Sequence, residues 1–135
     1  MAIIAKSGTP SLCTDTPCDA MRLPPLPVGE DIGAGDACYI KSDGKIMKST
    51  AAAATAPAEV HGFAPNAVLF AQRQTLSLYS NVNFNYGAAL TPGAYVYLSA
   101  VTAGAIDGAS SANQLKPIGF CVDATRIRLF RTSGN

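Results

Sequence analysis

The side chains in this sequence best suited to metal binding or nucleophilic chemistry are four cysteines and one histidine. Cys13 and Cys18 could form half of a zinc site or a small disulfide loop, but no second close pair follows them. Cys38 and Cys121 fall in apolar, strand-like segments and are predicted to be small core residues. His61 has no aspartate beside it, so we predict a partly buried strand residue. We expect no metal, no cofactor and no catalytic residue, and whether Cys13 pairs with Cys18 in an oxidising medium stays open.

Three carboxylates, Glu30, Asp31 and Asp36, lie close to Gly33 and Gly35. Such a cluster could indicate a calcium loop or an acid–base pair, but the ligand spacing of a calcium loop is absent. Acidic residues and glycines are common in turns before strands, where they form local hydrogen bonds. The glycines are not followed by the Gly-Lys-Ser/Thr of a phosphate loop, and no G-x-S-x-G motif marks a nucleophile. The sequence therefore predicts turn residues here and a protein that is not an enzyme.

Residues Asn81 to Tyr86 alternate amide and aromatic side chains. One interpretation is a surface that stacks aromatic rings on sugars. The other is a half-buried strand in which Phe84 and Tyr86 point into the core while Asn83 and Asn85 face outwards. Alternation with period two is what any half-buried strand shows, so we favour the second interpretation.

The composition favours contact with other proteins. Charged residues make up only 14% of the 135-residue chain and hydrophobic residues 48%, so few ions need to be desolvated when surfaces meet. The net charge of +1 gives no basic excess for nucleic acid, and the apolar runs are too short to cross a bilayer. The first residues also lack the layout of a signal peptide, so we expect a protein that folds in the cytosol.

The chain divides into two parts by its proline content. Residues 1–27 are predicted to be an extended, proline-rich N-terminal arm or a surface-hugging loop, because proline disfavours helices and central strands. This stretch carries Pro10, Pro17, Pro24, Pro25 and Pro27. Residues 28–135 are predicted to form one β domain.

Strand and turn signals dominate this domain. Asp43-Gly44 separates two strand-like runs, Ala37–Lys41 and Ile46–Lys48, and is a strong hairpin signal because glycine accepts the positive φ of a tight turn. Thr75–Ser80 and Thr125–Phe130 alternate apolar and polar residues, as expected for strands with one buried face. The sequence therefore predicts a mainly β fold.

The domain also repeats itself. Tyr39 aligns with Tyr97 and Gly62 with Gly119, which predicts two similar units, each a hairpin followed by a Gly-Phe strand. Two such units would make a small β-barrel or a paired-sheet core with few free edges. Gly62 and Gly119 are expected where the chain bends or another backbone approaches closely. The matched segments are Gly35–Ile40 with Gly93–Leu98, Gly44–Ile46 with Gly104–Ile106, and Val60–Ala64 with Pro117–Cys121.

Glycine and turn motifs recur across residues 28 to 130 in a particular order. They are Gly29-Glu30-Asp31-Ile32-x-Ala34-Gly35-Asp36-Ala37, Tyr39-Ile40-Lys41-Ser42-Asp43-Gly44-Lys45, Val60-x-Gly62-Phe63-Ala64, Tyr86-Gly87-x-Ala89-Leu90-Thr91-Pro92-Gly93, Tyr97-Leu98-Ser99, Pro117-Ile118-Gly119 and Ala124-Thr125-Arg126-Ile127-Arg128-Leu129. This series resembles the small head decoration (cement) proteins of tailed bacteriophages.

The resemblance implies a mostly β structural protein on the outer capsid surface of a virion, assembled in the cytoplasm of the host bacterium. Its partner would be the major capsid protein, and it would cluster as a homotrimer, with neither nucleic acid nor membrane as a partner. Each copy would stabilise the capsid by bridging neighbouring capsid subunits. One alternative is a virion-associated recognition module that binds host-surface glycans through Asn81–Tyr86, and another is a hydrolase built around His61.

Overall fold

A computed structural model describes residues 4, 6, 9–12, 21–50, 60–72, 75–80, 82–87, 89–109 and 117–129. Thirteen short strands and one 3-10 turn, but no α-helix, occur in these residues. The strands are β1 (Ser11–Leu12), β2 (Met21–Arg22), β3 (Leu26–Pro27), β4 (Ala37–Ile40), β5 (Ile46–Lys48), β6 (Gly62–Phe63), β7 (Thr75–Leu76), β8 (Tyr79–Ser80), β9 (Val82–Asn85), β10 (Tyr95–Leu98), β11 (Ile106–Asp107), β12 (Gly119–Cys121) and β13 (Arg126–Leu129). The 3-10 turn is Phe70–Gln72.

The strands form three antiparallel sheets. The six-stranded sheet has the order β1-β9-β13-β12-β10-β11, the five-stranded sheet β2-β8-β6-β4-β5, and the third sheet pairs β3 with β7. None of them closes into a barrel within the described part of the chain. The prediction of a mainly β domain is confirmed. The sequence predicted either a small β-barrel or a paired-sheet core, and the structure has packed sheets.

Two apolar clusters hold the sheets together. The first fills the space between the two larger sheets, and the second lies on the other face of the five-stranded sheet. The first includes Ala37 and Phe63 from the five-stranded sheet and Phe84, Val96, Leu98, Ile127 and Leu129 from the six-stranded sheet. The second includes Val28, Ile32, Cys38, Ile46, Val68, Leu76 and Leu78. The five-stranded sheet is therefore buried on both faces, whereas the apolar clusters of the described residues cover only one face of the six-stranded sheet.

The predicted repeat is confirmed by the strand pairing. In each unit the first strand of the hairpin lies between its partner and a Gly-Phe strand, as β5-β4-β6 and as β11-β10-β12. The registers also correspond: Ala37↔Phe63, Cys38↔Gly62 and Ile40↔Ile46 in the first unit match Tyr95↔Phe120, Val96↔Gly119 and Leu98↔Ile106 in the second. The four described glycines with positive φ, namely Gly35, Gly44, Gly93 and Gly104, occupy the aligned turn positions.

The described residues of the 1–27 segment lie along the surface of the 28–135 domain. β1 and β2 are edge strands of the two larger sheets, as expected for a segment whose prolines exclude it from central strands. The backbone N–H of Ile4 also donates to the carbonyl of Ile106 (3.0 Å), and Pro10 is buried. These residues thus contact both repeated units.

Candidate functional site

His61 has a structural role in the hairpin of the first unit. Its ring Nδ1 accepts a hydrogen bond from the backbone N–H of Ile40 (2.8 Å), and its own N–H donates to the carbonyl of Cys38 (2.8 Å). The residue is half-buried and directly precedes β6. It is therefore the partly buried, strand-associated histidine that was predicted.

Two of the three clustered carboxylates, Glu30 and Asp31, accept hydrogen bonds from backbone N–H groups that lie far away along the chain. Glu30 Oε2 accepts from the N–H of Lys48 (2.9 Å), the last residue of β5. Asp31 Oδ1 accepts from the N–H of Phe70 (2.9 Å), at the start of the 3-10 turn. Both carboxylates therefore fasten loops to the domain.

Asp36 is the third carboxylate, and it connects the N-terminal segment to the first unit. Its Oδ2 accepts from the N–H of Gly33 (2.7 Å), and its Oδ1 forms an ion pair with Lys6 Nζ (2.7 Å). Lys6 also donates to the carbonyl of Ala34 (3.0 Å). The predicted role in a local turn is confirmed for Asp36, whereas Glu30 and Asp31 accept hydrogen bonds from residues far away along the chain.

The described cysteines are core residues, as predicted. Cys38 and Cys121 are buried, and burial raises the pKa of both thiols. For Cys38 the nearby Asp36 and Glu30 carboxylates raise the thiol pKa further. Since the thiolate is the nucleophilic form, both side chains are poor nucleophiles. Cys13 and Cys18 lie outside the described residues.

The alternating Asn-aromatic segment forms β9, with its aromatic residues inside. Phe84 and Tyr86 are buried between the sheets, whereas Asn85 is exposed and Asn83 is half-buried. Burial, and secondarily the Asp36 carboxylate, raises the pKa of the Tyr86 hydroxyl. The predicted core orientation is confirmed for these residues, and Asn81 lies outside the described part. Neither aromatic ring is available to stack on a ligand.

A row of large side chains crosses the outer face of the six-stranded sheet. Tyr95 is 57% exposed and Phe120 37% exposed, and they are direct partners between β10 and β12. Phe120 in turn pairs with Arg128 on β13, which pairs with Asn83 on β9. Val122, two residues beyond Phe120, is also exposed. We call these five residues the aromatic face.

The sequence predicted the strands of this face but missed that it is exposed. Alternation shows that Tyr95 and Phe120 lie opposite the buried Val96 and Cys121, but it does not show whether a second layer covers them. The two repeated units differ in the exposure of this pair. The equivalent pair of the first unit, Ala37 and Phe63, is completely buried. A comparison of the two units is therefore the signal that identifies the face.

An ion pair fixes the loop beside the aromatic face. Asp123 Oδ2 contacts Arg126 Nε (2.8 Å) and Nη2 (2.7 Å), while its Oδ1 accepts from the N–H groups of Thr125 and Arg126. The side-chain hydrogen bond from Arg126 is the main cause that holds the Asp123 pKa well below its usual range. The Asp123 charge is thus matched within its own loop, and Arg128 brings positive charge to the row.

A second apolar surface lies in the 3-10 turn. Leu69 is 44% and Phe70 49% exposed. Val68 and Ile32 anchor this turn through two backbone hydrogen bonds (3.0 and 2.9 Å). We call it the Leu69–Phe70 tip. The adjacent Val68 belongs to the second apolar cluster, whereas the strands of the aromatic face belong to the sheet that covers the first cluster.

Comparison of the chain with protein-family models, curated proteins and solved structures found no match. No helix in the described residues is long and apolar enough to span a membrane. The geometry of the chain itself is therefore the basis for assigning a function.

Proposed function

We propose that this chain is a non-enzymatic virion protein that binds the outer surface of a phage capsid and stabilises it by bridging neighbouring capsid subunits. Its partner would be the major capsid protein, and it would act as a homotrimer on heads assembled in the host bacterial cytoplasm. The mechanism is mechanical, because subunits joined at several points separate only if all the contacts release together.

The observation that supports this proposal most strongly is the presence of two separate exposed apolar surfaces on one small domain. A bridging protein needs at least two contact surfaces, and the aromatic face and the Leu69–Phe70 tip meet that requirement. The face combines tyrosine, phenylalanine and arginine, the residue types enriched where proteins bind each other. The low charge content of the chain reduces the cost of desolvating further contacts.

The test is a sedimentation titration of the purified protein against expanded phage heads that lack it. We expect saturation at a fixed stoichiometry that fits the threefold positions of the head, and heads that then resist heating better. A variant with one change on each surface, Phe70→Ser/Phe120→Ser, should lose this protection. Val101→Ser is the matched control, because Val101 is 75% exposed but lies outside both surfaces. Absence of co-sedimentation would reject the proposal.

The alternative, a recognition module for host-surface glycans, loses the aromatic residues on which it depended, since Phe84 and Tyr86 are buried. It becomes the next hypothesis only if heads fail to bind the protein. The purified protein would then be tested on the host cell surface.

A further inference from the structure

We infer that a small uncharged pocket on this chain binds a neutral saccharide. The pocket lies where three segments meet, namely Pro25 before β3, the Pro65-Asn66 loop after β6, and the stretch from β7 to β8. It shares no residue with the aromatic face, the Leu69–Phe70 tip or the alternating Asn-aromatic segment. The inference therefore goes beyond the proposed function and does not depend on it.

The pocket has the size of a site for one small molecule. Its volume is about 280 Å³. This lies close to the lower limit of the roughly 300–1,000 Å³ that small-molecule sites enclose. A space of this size suits a monosaccharide or the end of a short saccharide chain.

Period-two alternation explains why polar side chains line the pocket. Leu76 and Leu78 are buried in the second apolar cluster. Successive side chains of an extended segment point to opposite sides, so Thr75, Ser77 and Tyr79 lie on the other side of the chain. These three residues line the pocket, and all three are less buried than the two leucines.

The lining of the pocket is uncharged. Among the described residues, neither a basic nor an acidic side chain lines it. Phosphates and carboxylates are recognised chiefly by arginine and lysine, and calcium and magnesium ions by carboxylate oxygens. The lining therefore favours a neutral ligand over an anion or a metal ion.

The hydrogen-bonding groups of the lining match those of a sugar. Asn66 supplies an amide, and Thr75, Ser77 and Tyr79 supply hydroxyl groups, so each of these side chains can both donate and accept. Sugar hydroxyls have the same dual character, and the apolar ring of tyrosine suits the C–H face of a sugar. A proline-rich peptide is the other neutral candidate, but such peptides dock in grooves lined by several aromatic residues. Tyr79 is the single aromatic residue in the described lining.

Two walls of the pocket are fixed by backbone hydrogen bonds. Ala64, directly before Pro65, forms bonds through both its N–H (3.0 Å) and its carbonyl (2.7 Å) to the backbone of the first unit. On the other wall, Pro25 lies between β3, which pairs with β7, and Leu23, whose N–H donates to the carbonyl of Leu78 (2.9 Å). A preformed site of this kind loses little conformational freedom when a ligand binds, and this lowers the cost of binding.

Titration with free sugars tests the inference on the purified protein, without phage heads. The probes are glucose, galactose, mannose, rhamnose, N-acetylglucosamine and N-acetylgalactosamine, each added to isotope-labelled protein and followed by NMR. We expect at least one of them to bind saturably with a Kd of about 10 mM or below. The amide signals of Thr75, Ser77 and Tyr79 should shift most. Inorganic phosphate and sialic acid, which are anions, should cause no such shifts.

Two variants separate this pocket from the alternating Asn-aromatic segment. Asn66→Ala/Thr75→Val removes an amide and a hydroxyl from the lining, and both positions are exposed, so we expect a wild-type fold. This variant should bind the sugar at least about 10-fold more weakly. Asn85→Ala is the matched control, because it removes an exposed amide from β9 and should bind the sugar like the wild type.

The inference is overturned when none of the six sugars binds, or when Asn66→Ala/Thr75→Val binds as tightly as the wild type. Loss of binding in Asn85→Ala would assign the sugar to β9 and reject the pocket. Binding of phosphate or sialic acid in the pocket would contradict the neutral class of ligand. Because these measurements involve no heads, a failed sugar titration leaves the proposed function standing, and failed co-sedimentation with heads leaves the saccharide site standing.

Discussion

At the scale of single residues, the hydroxyl of Tyr86 lies in an unfavourable environment. Tyr86 is buried in the first apolar cluster, and its hydroxyl has no hydrogen-bond partner among the described residues. A buried polar group without a partner costs about 1–3 kcal/mol. We therefore expect Tyr86→Phe to leave the free energy of unfolding unchanged or to raise it by about 1 kcal/mol, measured by urea denaturation at pH 7.

The control places the same hydroxyl at a neighbouring core position. Phe84→Tyr should lower the free energy of unfolding by about 1–3 kcal/mol. Alkaline pH gives an independent comparison. The Tyr86 pKa is higher in the folded than in the unfolded state, so stability falls as the pH rises above about 10 and the unfolded tyrosine ionises. Tyr86→Phe should lose less stability there than the wild type. A loss above about 1 kcal/mol for Tyr86→Phe at pH 7 would mean that the hydroxyl has a partner.

Sequence patterns predicted the orientation of single residues better than their exposure. The inward positions of Phe84 and Tyr86 followed from period-two alternation, and the core positions of Cys38 and Cys121 from their apolar neighbours. The exposure of Tyr95 did not follow, because alternation is a local property whereas coverage depends on where a second layer lies.

At the scale of the elements, two glycines differ sharply in what their positions tolerate. A Cβ at Gly119 would meet the carbonyl oxygen of Arg128 far inside van der Waals contact, and backbone of the neighbouring strand cannot move away. Gly93 has φ of 84°, but no atom lies within 4 Å of its would-be Cβ. The first position therefore excludes a side chain for steric reasons, and the second only strains the backbone.

We expect Gly119→Ala to prevent folding or to cost about 3 kcal/mol or more. Gly93→Ala should cost only about 1–2 kcal/mol. Soluble yield, far-UV circular dichroism and urea denaturation would measure both effects, and Gly44→Ala, at the equally open β4–β5 turn, should behave like Gly93→Ala. Equal costs at Gly119 and Gly93 would show that the strands β12 and β13 can separate to admit a methyl group.

The elements were predictable where one local signal determines them. The Asp43-Gly44 turn specified the β4–β5 hairpin, since its positive φ and short loop fix the register. The continuous strand expected over Thr75–Ser80 is instead two short strands, β7 and β8, that belong to different sheets. Their alternation correctly buries Leu76 and Leu78, but the partner of each half is set by distant segments.

At the scale of the whole molecule, the N-terminal segment and the two units form connected parts of one structure. Lys6 binds Asp36 of the first unit, and β1 pairs with β9 of the six-stranded sheet. The sequence could not reveal these contacts, because a proline-rich segment without a periodic pattern gives no information about its partners. The pairing of similar units was visible in advance because the repeats preserve their turn glycines and their Gly-Phe strands.

The shared first cluster leads to a prediction about unfolding. Because Phe63 of the first unit and Leu98 of the second belong to the same cluster, neither unit can bury its apolar face without the other. We therefore expect one cooperative transition in urea, with coincident curves from tyrosine fluorescence and circular dichroism. Leu98→Ala should lower the free energy of unfolding by about 2–5 kcal/mol and Phe63→Leu by a smaller amount, and each should shift both curves together. The surface substitution Val101→Ser should shift neither curve.

Unfolding should be measured at low protein concentration, since association between copies would stabilise the folded state by mass action. Two separated transitions, with Phe63→Leu moving one and Leu98→Ala the other, would show that the units fold independently despite their common core.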